Sequence, residues 1–401
     1  MKRRILDIYY VWKNELKVIF KDPAVLLLFV IVPLGYPLLY SFIYNNEVAR
    51  EAKMIVVDES NSYIAREFAR KVDATPDVNV VARVANFEEG REALRRKEAY
   101  AILYIPADFS DRIHRMEQAQ VMIYSDMSSL LFYKNFLLAA TEVSLEMGAD
   151  IRVSELGHKT QTEDETTMQA VHYEWISMYN PQNGFASFFV PAILILIIQQ
   201  TLILGVGTLV GTHNDRKRFT VASHTQEGRN VSAFLLTIGK AFAYVTVYSV
   251  MSVWVLRVVP YMFSFPQIGD PLTLATFLAP FLLACAFFAM TLSYFVSQRE
   301  FVMPLFVFTS VIFVFMSGVS WPWITIPSWI QALGYIVPST PGIHGFIRIN
   351  TMGAELSDVW PEFVTLWLQA LGYCIAAIFM YKWWIANYDP VHKGRKPQKN
   401  N

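Results

Sequence analysis

Six long apolar stretches dominate the chain, and a long, mostly polar segment separates the first from the second. A hydrocarbon core roughly 30 Å thick is crossed by about 20 apolar residues in a helix, because a helical backbone satisfies its own hydrogen bonds there. Ala24 to Tyr44, Ser187 to Gly211, Ser232 to Val259, Leu272 to Ser297, Phe301 to Val319 and Phe363 to Trp384 meet that requirement. They predict an α-helical polytopic membrane protein with six transmembrane helices, one over 24–44 and five within 187–384. The first stretch is too long for a cleaved leader and has no small-residue cleavage site behind it, so it is expected to remain as an anchor.

Ahead of the first span, Ile5, Tyr9, Trp12, Leu16 and Ile19 recur at helical spacing, with Lys13, Glu15 and Lys17 on the remaining face. This pattern predicts an amphipathic helix over residues 1–23 lying on the membrane surface, ended where Lys21-Asp22-Pro23 turns the chain. Its role is either a plain interfacial anchor or a lever that passes motion to span one.

Residues 45–186 alternate between strand and helix periodicity. Met54 to Val57, Val78 to Val84, Tyr100 to Ile105 and Val121 to Tyr124 read as strands. Ile64, Phe68 and Val72 mark one helix face, Phe87 to Arg96 and the Phe109/Ile113 pair mark two more helices, and Leu130 to Leu156 reads as one long helix. An inserted α/β domain, large enough to bury its own core, is the economical architecture.

The composition agrees with a bilayer as solvent: 54% of the residues are hydrophobic and 17% charged. A formal net charge of +0 gives no ground for expecting a nucleic-acid partner. The local distribution says more. Lys2, Arg3, Arg4, Lys13, Lys17 and Lys21 precede span one, Arg216, Lys217, Arg218 and Arg229 follow span two, Arg299 follows span four, and Lys393, Arg395, Lys396 and Lys399 follow span six. The opposite loops carry few such residues, notably Arg257 and Arg348, so both termini are expected in the cytoplasm, with 45–186 extracytoplasmic and 385–401 a cytoplasmic basic tail. Cys285 and Cys374 lie far apart in apolar runs and read as packing residues.

Within the spans, Gln199-Gln200 is the conspicuous polar feature, open to two readings: hydrogen bonding between helices, or lining of a pathway. Lys240 sits just inside span three, and the spans otherwise lack ionisable residues at depth, which argues against a proton-relay carrier. Trp321-Pro322-Trp323, Pro327, Pro338, Pro341 and Gly342 break the apolar segment 320–349, which predicts a re-entrant or interfacial helical hairpin. His158, Asp164, His172 and Glu174 lack a recognised metal-ligand spacing, His213, His224 and His344 have no paired nucleophile, and the chain is not expected to be an enzyme. A phosphate loop of the Gly-x-x-x-x-Gly-Lys-Ser/Thr type is missing from the sequence. Gly205, Gly207 and Gly211 lie in a span and suit close helix packing instead.

Several short motifs, in order, carry a resemblance. Asn14-Glu15-Leu16, Lys21-Asp22-Pro23, Val57-Asp58-Glu59-Ser60, Ile105-Pro106-Ala107-Asp108-Phe109-Ser110, Tyr179-Asn180-Pro181 and Ser317-Gly318-Val319-Ser320-Trp321-Pro322 resemble type-2 ATP-binding-cassette exporter permeases of the subgroup with a large outer domain. Ile326-Pro327 and Val337-Pro338 continue the likeness, which covers nearly the whole chain. It implies a bacterial inner-membrane permease that pairs with a second permease, the same or a sister chain, and with separate nucleotide-binding ATPase subunits holding ATP and Mg; no cofactor is expected on this chain. It also implies a coupling element in loop 212–230, where Asp215, Arg216, Lys217, Arg218, Phe219 and Thr220 stand, although Lys217 and Phe219 depart from the glutamate and glycine of related sequences. In related permeases the segment matching 320–349 closes the outer end of the path. The expected function is ATP-driven export of drugs, lipids or another amphiphile, with the outer domain available to a periplasmic adaptor; the alternative is a membrane-anchored platform that recruits an outer partner without transport.

Overall fold

The computed structural model describes residues 2–45, 50–128, 130–156, 177–181, 184–215, 232–296 and 298–388. The chain divides into two compact units, one of Met1–Glu47 with Ser177–Asn401, the other of Val48–Ile176.

The second unit is a four-stranded mixed sheet with helices on both faces. Its elements, taken together with the first unit's opening helices α1 (Lys2–Lys21) and α2 (Pro23–Ile43), run β1 (Ala52–Asp58), α3 (Tyr63–Asp73), β2 (Val78–Val84), α4 (Phe87–Arg95), β3 (Ala101–Ile105), α5 (Phe109–His114), β4 (Met122–Ser125) and α6 (Leu130–Leu156). The strand order is β2-β1-β3-β4, with β1 parallel to β2 and β3, and β4 antiparallel to β3. Met54, Ile55, Val56 and Val57 are all buried, as a central strand covered on both faces requires. Successive side chains alternate between those faces. Met54, Val56 and Leu103 pack with Phe68 and Val72 of α3 and Phe136 and Val143 of α6. On the opposite face α4 approaches at Gly90, where a Cβ would lie 3.3 Å from both Val57 and Ile102. Ser62 and Asn86 cap α3 and α4 by accepting from the backbone N–H of Ala65 and Glu89. An open groove beside α3, α5 and α6 is lined by Phe109, Ile113, Met116, Met147 and Ile151, with Gln118 and Gln120 among its polar groups.

The first unit holds six helices long and apolar enough to cross a membrane: Pro23–Ile43, Phe185–Thr212, Ala233–Met262, Pro271–Ser293, Arg299–Met316 and Trp360–Ile385. They belong to α2 and to α7 (Phe185–Asp215), α8 (Ala233–Met262), α9 (Pro271–Ser293), α10 (Val302–Met316) and, after the short helices α11 (Ser328–Gly334) and α12 (Ser339–Asn350), α13 (Trp360–Tyr388). Helix α9 ends at Ser293 and α10 at Met316, each a few residues short of the apolar runs that forecast them, whereas α8 continues past Val259 to Met262. Apolar character alone does not locate a helix end, because the following turns are apolar too. Asp22 caps the start of α2 by accepting from Ala24 and Val25, and Pro23 takes the first helical position, where its missing N–H costs nothing. Both α2 and α8 contain a π-helical turn, Leu27–Ile31 and Trp254–Val258, just ahead of Pro33 and Pro260, which cannot supply the regular helix bond.

Helix α7 is the axis of this unit, with 94% of its apolar window buried, against 11% for the fifth span and 17% for the sixth. The outer helices therefore turn side chains such as Phe308, Phe315 and Leu368 away from the bundle. Close approach to α7 occurs at glycines. A Cβ on Gly205 would lie 2.2 Å from the Phe29 ring of α2, and one on Gly211 would lie 2.8 Å from the backbone of Arg299.

Candidate functional site

One end of the bundle holds a buried charge pair built from three helices. The expected polar face of α1 included Glu15, yet the stripe that is buried runs Val11, Glu15 and Ile19, while Ile5 and Tyr9 of the expected apolar stripe are exposed. Through that stripe helix α1 packs along α8, with Trp12 and Leu16 of the expected apolar stripe partly buried and Ile19 fully so. The contact is close because α8 presents Gly239: a Cβ there would fall 2.7 Å from Val11 Cβ.

One turn apart on the same face of α8 stand Lys240 and Tyr244. Lys240 Nζ lies 3.4 Å from Glu15 Oε1, with the side chains 0% and 1% exposed. Tyr244 donates its hydroxyl to the same Oε1 at 2.6 Å. Tyr381 of α13 places its ring 5.7 Å from Lys240 Nζ, a distance at which a cation is attracted to the ring face. Farther along, Trp12 Nε1 donates to Thr246 Oγ1 at 3.1 Å. Ionisable groups in such surroundings must be paired, since removing one partner of a buried pair costs about 3–5 kcal/mol. The spans therefore do carry a fully buried ionisable residue, Lys240, and its partner comes from outside them. A lone lysine inside an apolar helix was the available signal for this site; it calls for an acid nearby, and Glu15 is the acid on the preceding amphipathic helix.

Midway along α7, Gln199 and Gln200 are 0% and 3% exposed. Gln199 Oε1 is 3.9 Å from Cys285 Sγ of α9, a weak contact. Neither amide atom of Gln200, nor Gln199 Nε2, has a hydrogen-bond partner among the described residues. The next residue, Thr201, accepts from Tyr248 of α8 at 3.0 Å and donates to Ile197 O at 2.7 Å. Phe29 packs against both Tyr244 and Tyr248, with ring centroids 5.7 and 5.6 Å away, so α2 joins the charge pair to this polar level.

Residues 320–349 form a helical turn at Trp323–Thr325 followed by α11 and most of α12; the turn and α11 are largely exposed, whereas α12 is buried in the bundle. Gln331 Nε2 donates to the carbonyls of Trp323 and Ile326, both at 2.9 Å. From α13, Gln369 donates to Tyr335 O at 2.6 Å and the Tyr373 hydroxyl donates to Ile336 O. His344 Nε2 meets Ser317 O at 2.9 Å under the Trp323 ring. Rings of Phe277 and Phe281 from α9 fill the positions where Gly345 and Gly342 lack a Cβ.

Of the residues expected to couple to an ATPase, Asp215 ends α7, while Arg216, Lys217, Arg218, Phe219 and Thr220 lie outside the described residues. So do His158, Asp164, His172, Glu174 and His224.

Five apolar helices around a buried central one define a multi-pass α-helical membrane protein. The chain belongs to the ABC-2 transporter family, whose model matches residues 23–379. It is thus a membrane component of an ATP-binding-cassette transporter, a permease subunit that works with an ATPase subunit. No curated protein matches the chain.

Proposed function

We propose that this chain is the permease of an ATP-driven exporter in a bacterial inner membrane, moving drugs, lipids or another amphiphile out of the cytoplasm or the inner leaflet. Two copies, or one copy and a sister permease, flank the path, and separate ATPase subunits hold ATP and Mg. Both termini and loop 212–230 face the cytoplasm, in line with their lysines and arginines, and the α/β unit lies on the other side, where a periplasmic adaptor would meet it. Asp215 to Thr220 receive the ATPase. Gln199 and Gln200 serve the path or the contacts between helices; both side chains are buried, and the Gln200 amide, with no partner of its own in the described residues, has hydrogen bonds left to offer to a second permease or to cargo. The observation that carries the reading is the family match over 23–379 together with a unit of six long apolar helices, a composition that suits an amphiphile path.

The groove beside α3, α5 and α6 favours one other reading, a platform on which the α/β unit recruits an outer partner without transport. Inverted membrane vesicles holding the permease and its ATPase separate the two. Addition of Mg-ATP is expected to drive uptake of a fluorescent phospholipid analogue or a lipophilic cationic dye into the lumen. Vesicles that hydrolyse ATP yet accumulate neither probe count against an amphiphile exporter.

A further inference from the structure

We infer that Glu15 and Lys240 form a pin that fixes α1 in one register on α8, so that movement delivered to loop 212–230 carries α1 with it. The inference rests on the permease reading, which puts the ATPase at that loop. The other contacts between α1 and α8, the Trp12 hydrogen bond to Thr246 and the close seating of Val11 on Gly239, would give way at the cost of one neutral hydrogen bond and some packing. The charges are not tolerant of sliding. A slip of one helical turn, about 5.4 Å, would break the buried Glu15–Lys240 pair and the Tyr244 hydrogen bond together.

The position of the pin gives it a mechanical meaning. Lys240 lies two turns into α8, whose first residue, Ala233, follows the loop directly. Helix α1 leads through the Asp22 cap into α2, whose Phe29 fills the space over Gly205 of the central helix α7. A push on the start of α8 thus reaches α7 by a second route, through α1 and α2, only while the pin holds. Glu15 and Lys240 are positioning residues in this scheme; neither contacts cargo or nucleotide.

The test uses the full-length permease with its co-purified ATPase, and reads hydrogen–deuterium exchange in residues 5–21 and 233–245 with and without Mg-ATP. Three variants are compared: Lys240→Met, the double replacement Glu15→Leu with Lys240→Met, and the swap Glu15→Lys with Lys240→Glu. The single variant removes the Lys240 cation from beside a buried carboxylate and is expected to impair assembly, whereas the double replacement removes both charges and keeps the contact apolar, which proteins commonly tolerate. In the wild type, Mg-ATP is expected to change exchange in both segments together. In the double variant the response of 233–245 should persist while that of 5–21 falls about tenfold, and the swap should recover most of it. A double variant in which 5–21 still follows the nucleotide overturns the pin. A wild-type complex that hydrolyses ATP with neither segment responding overturns the pin together with the placement of the ATPase at loop 212–230, whereas a response confined to 233–245 overturns the pin alone.

Discussion

A lysine in an apolar helix either reaches the water boundary or meets an anion, and Lys240 meets one in Glu15. The sequence shows the lysine and the acid separately but not their meeting, because the contact joins helices far apart in the chain; Tyr244 and Glu15 are 229 positions apart. For the same reason the hydrophobic period of α1 located its buried side only in part: Ile19 is buried as expected, but Val11 and Glu15 share that burial while Ile5 and Tyr9 do not. Periodicity counts apolar residues, and the buried stripe of α1 contains a glutamate that is acceptable only because a partner waits for it. The glycines of α7 are legible to a different degree: small residues in a span announce close packing, though not which neighbour comes close. Phe29 is that neighbour at Gly205, so Gly205→Ala should lower stability by about 1–3 kcal/mol through overpacking. Thermal unfolding in detergent checks this, and pairing the change with Phe29→Leu should restore much of the loss.

At the scale of elements, the long apolar helices and the strands of the α/β unit were the most legible features. A stretch of about 20 apolar residues has few structures open to it in a membrane, and a run such as Met54-Ile55-Val56-Val57 suits a strand covered on both faces. Helix ends were less so: the helix formed by Pro271–Ser293 stops before the apolar run does. The broken segment 320–349 was readable from its prolines and glycines, but its tethers were not, since Gln369 and Tyr373 reach it from a later helix. Orientation follows from charge placement and gives a direct prediction. In a background without Cys285 and Cys374, Glu88→Cys in the α/β unit should react with an impermeant thiol reagent added outside intact cells, and Gln298→Cys, between the fourth and fifth spans, should not. The two residues are exposed in the fold, so the membrane alone decides the pattern, and the reverse labelling would invert the topology.

At the scale of the whole molecule, the chain offers a bundle centred on α7, a charge pair that fastens its first helix, a polar level at Gln199 to Thr201 and a broken helical segment between the fifth and sixth spans. Membership of the ABC-2 transporter family assigns ATP hydrolysis to a partner subunit. Purification of the full-length chain in mild detergent from its native membrane, followed by an ATPase assay, tests that account most directly. The account predicts that a nucleotide-binding subunit co-elutes and that its hydrolysis rate differs in the presence and absence of the permease; a stable, active complex containing no ATPase would contradict it.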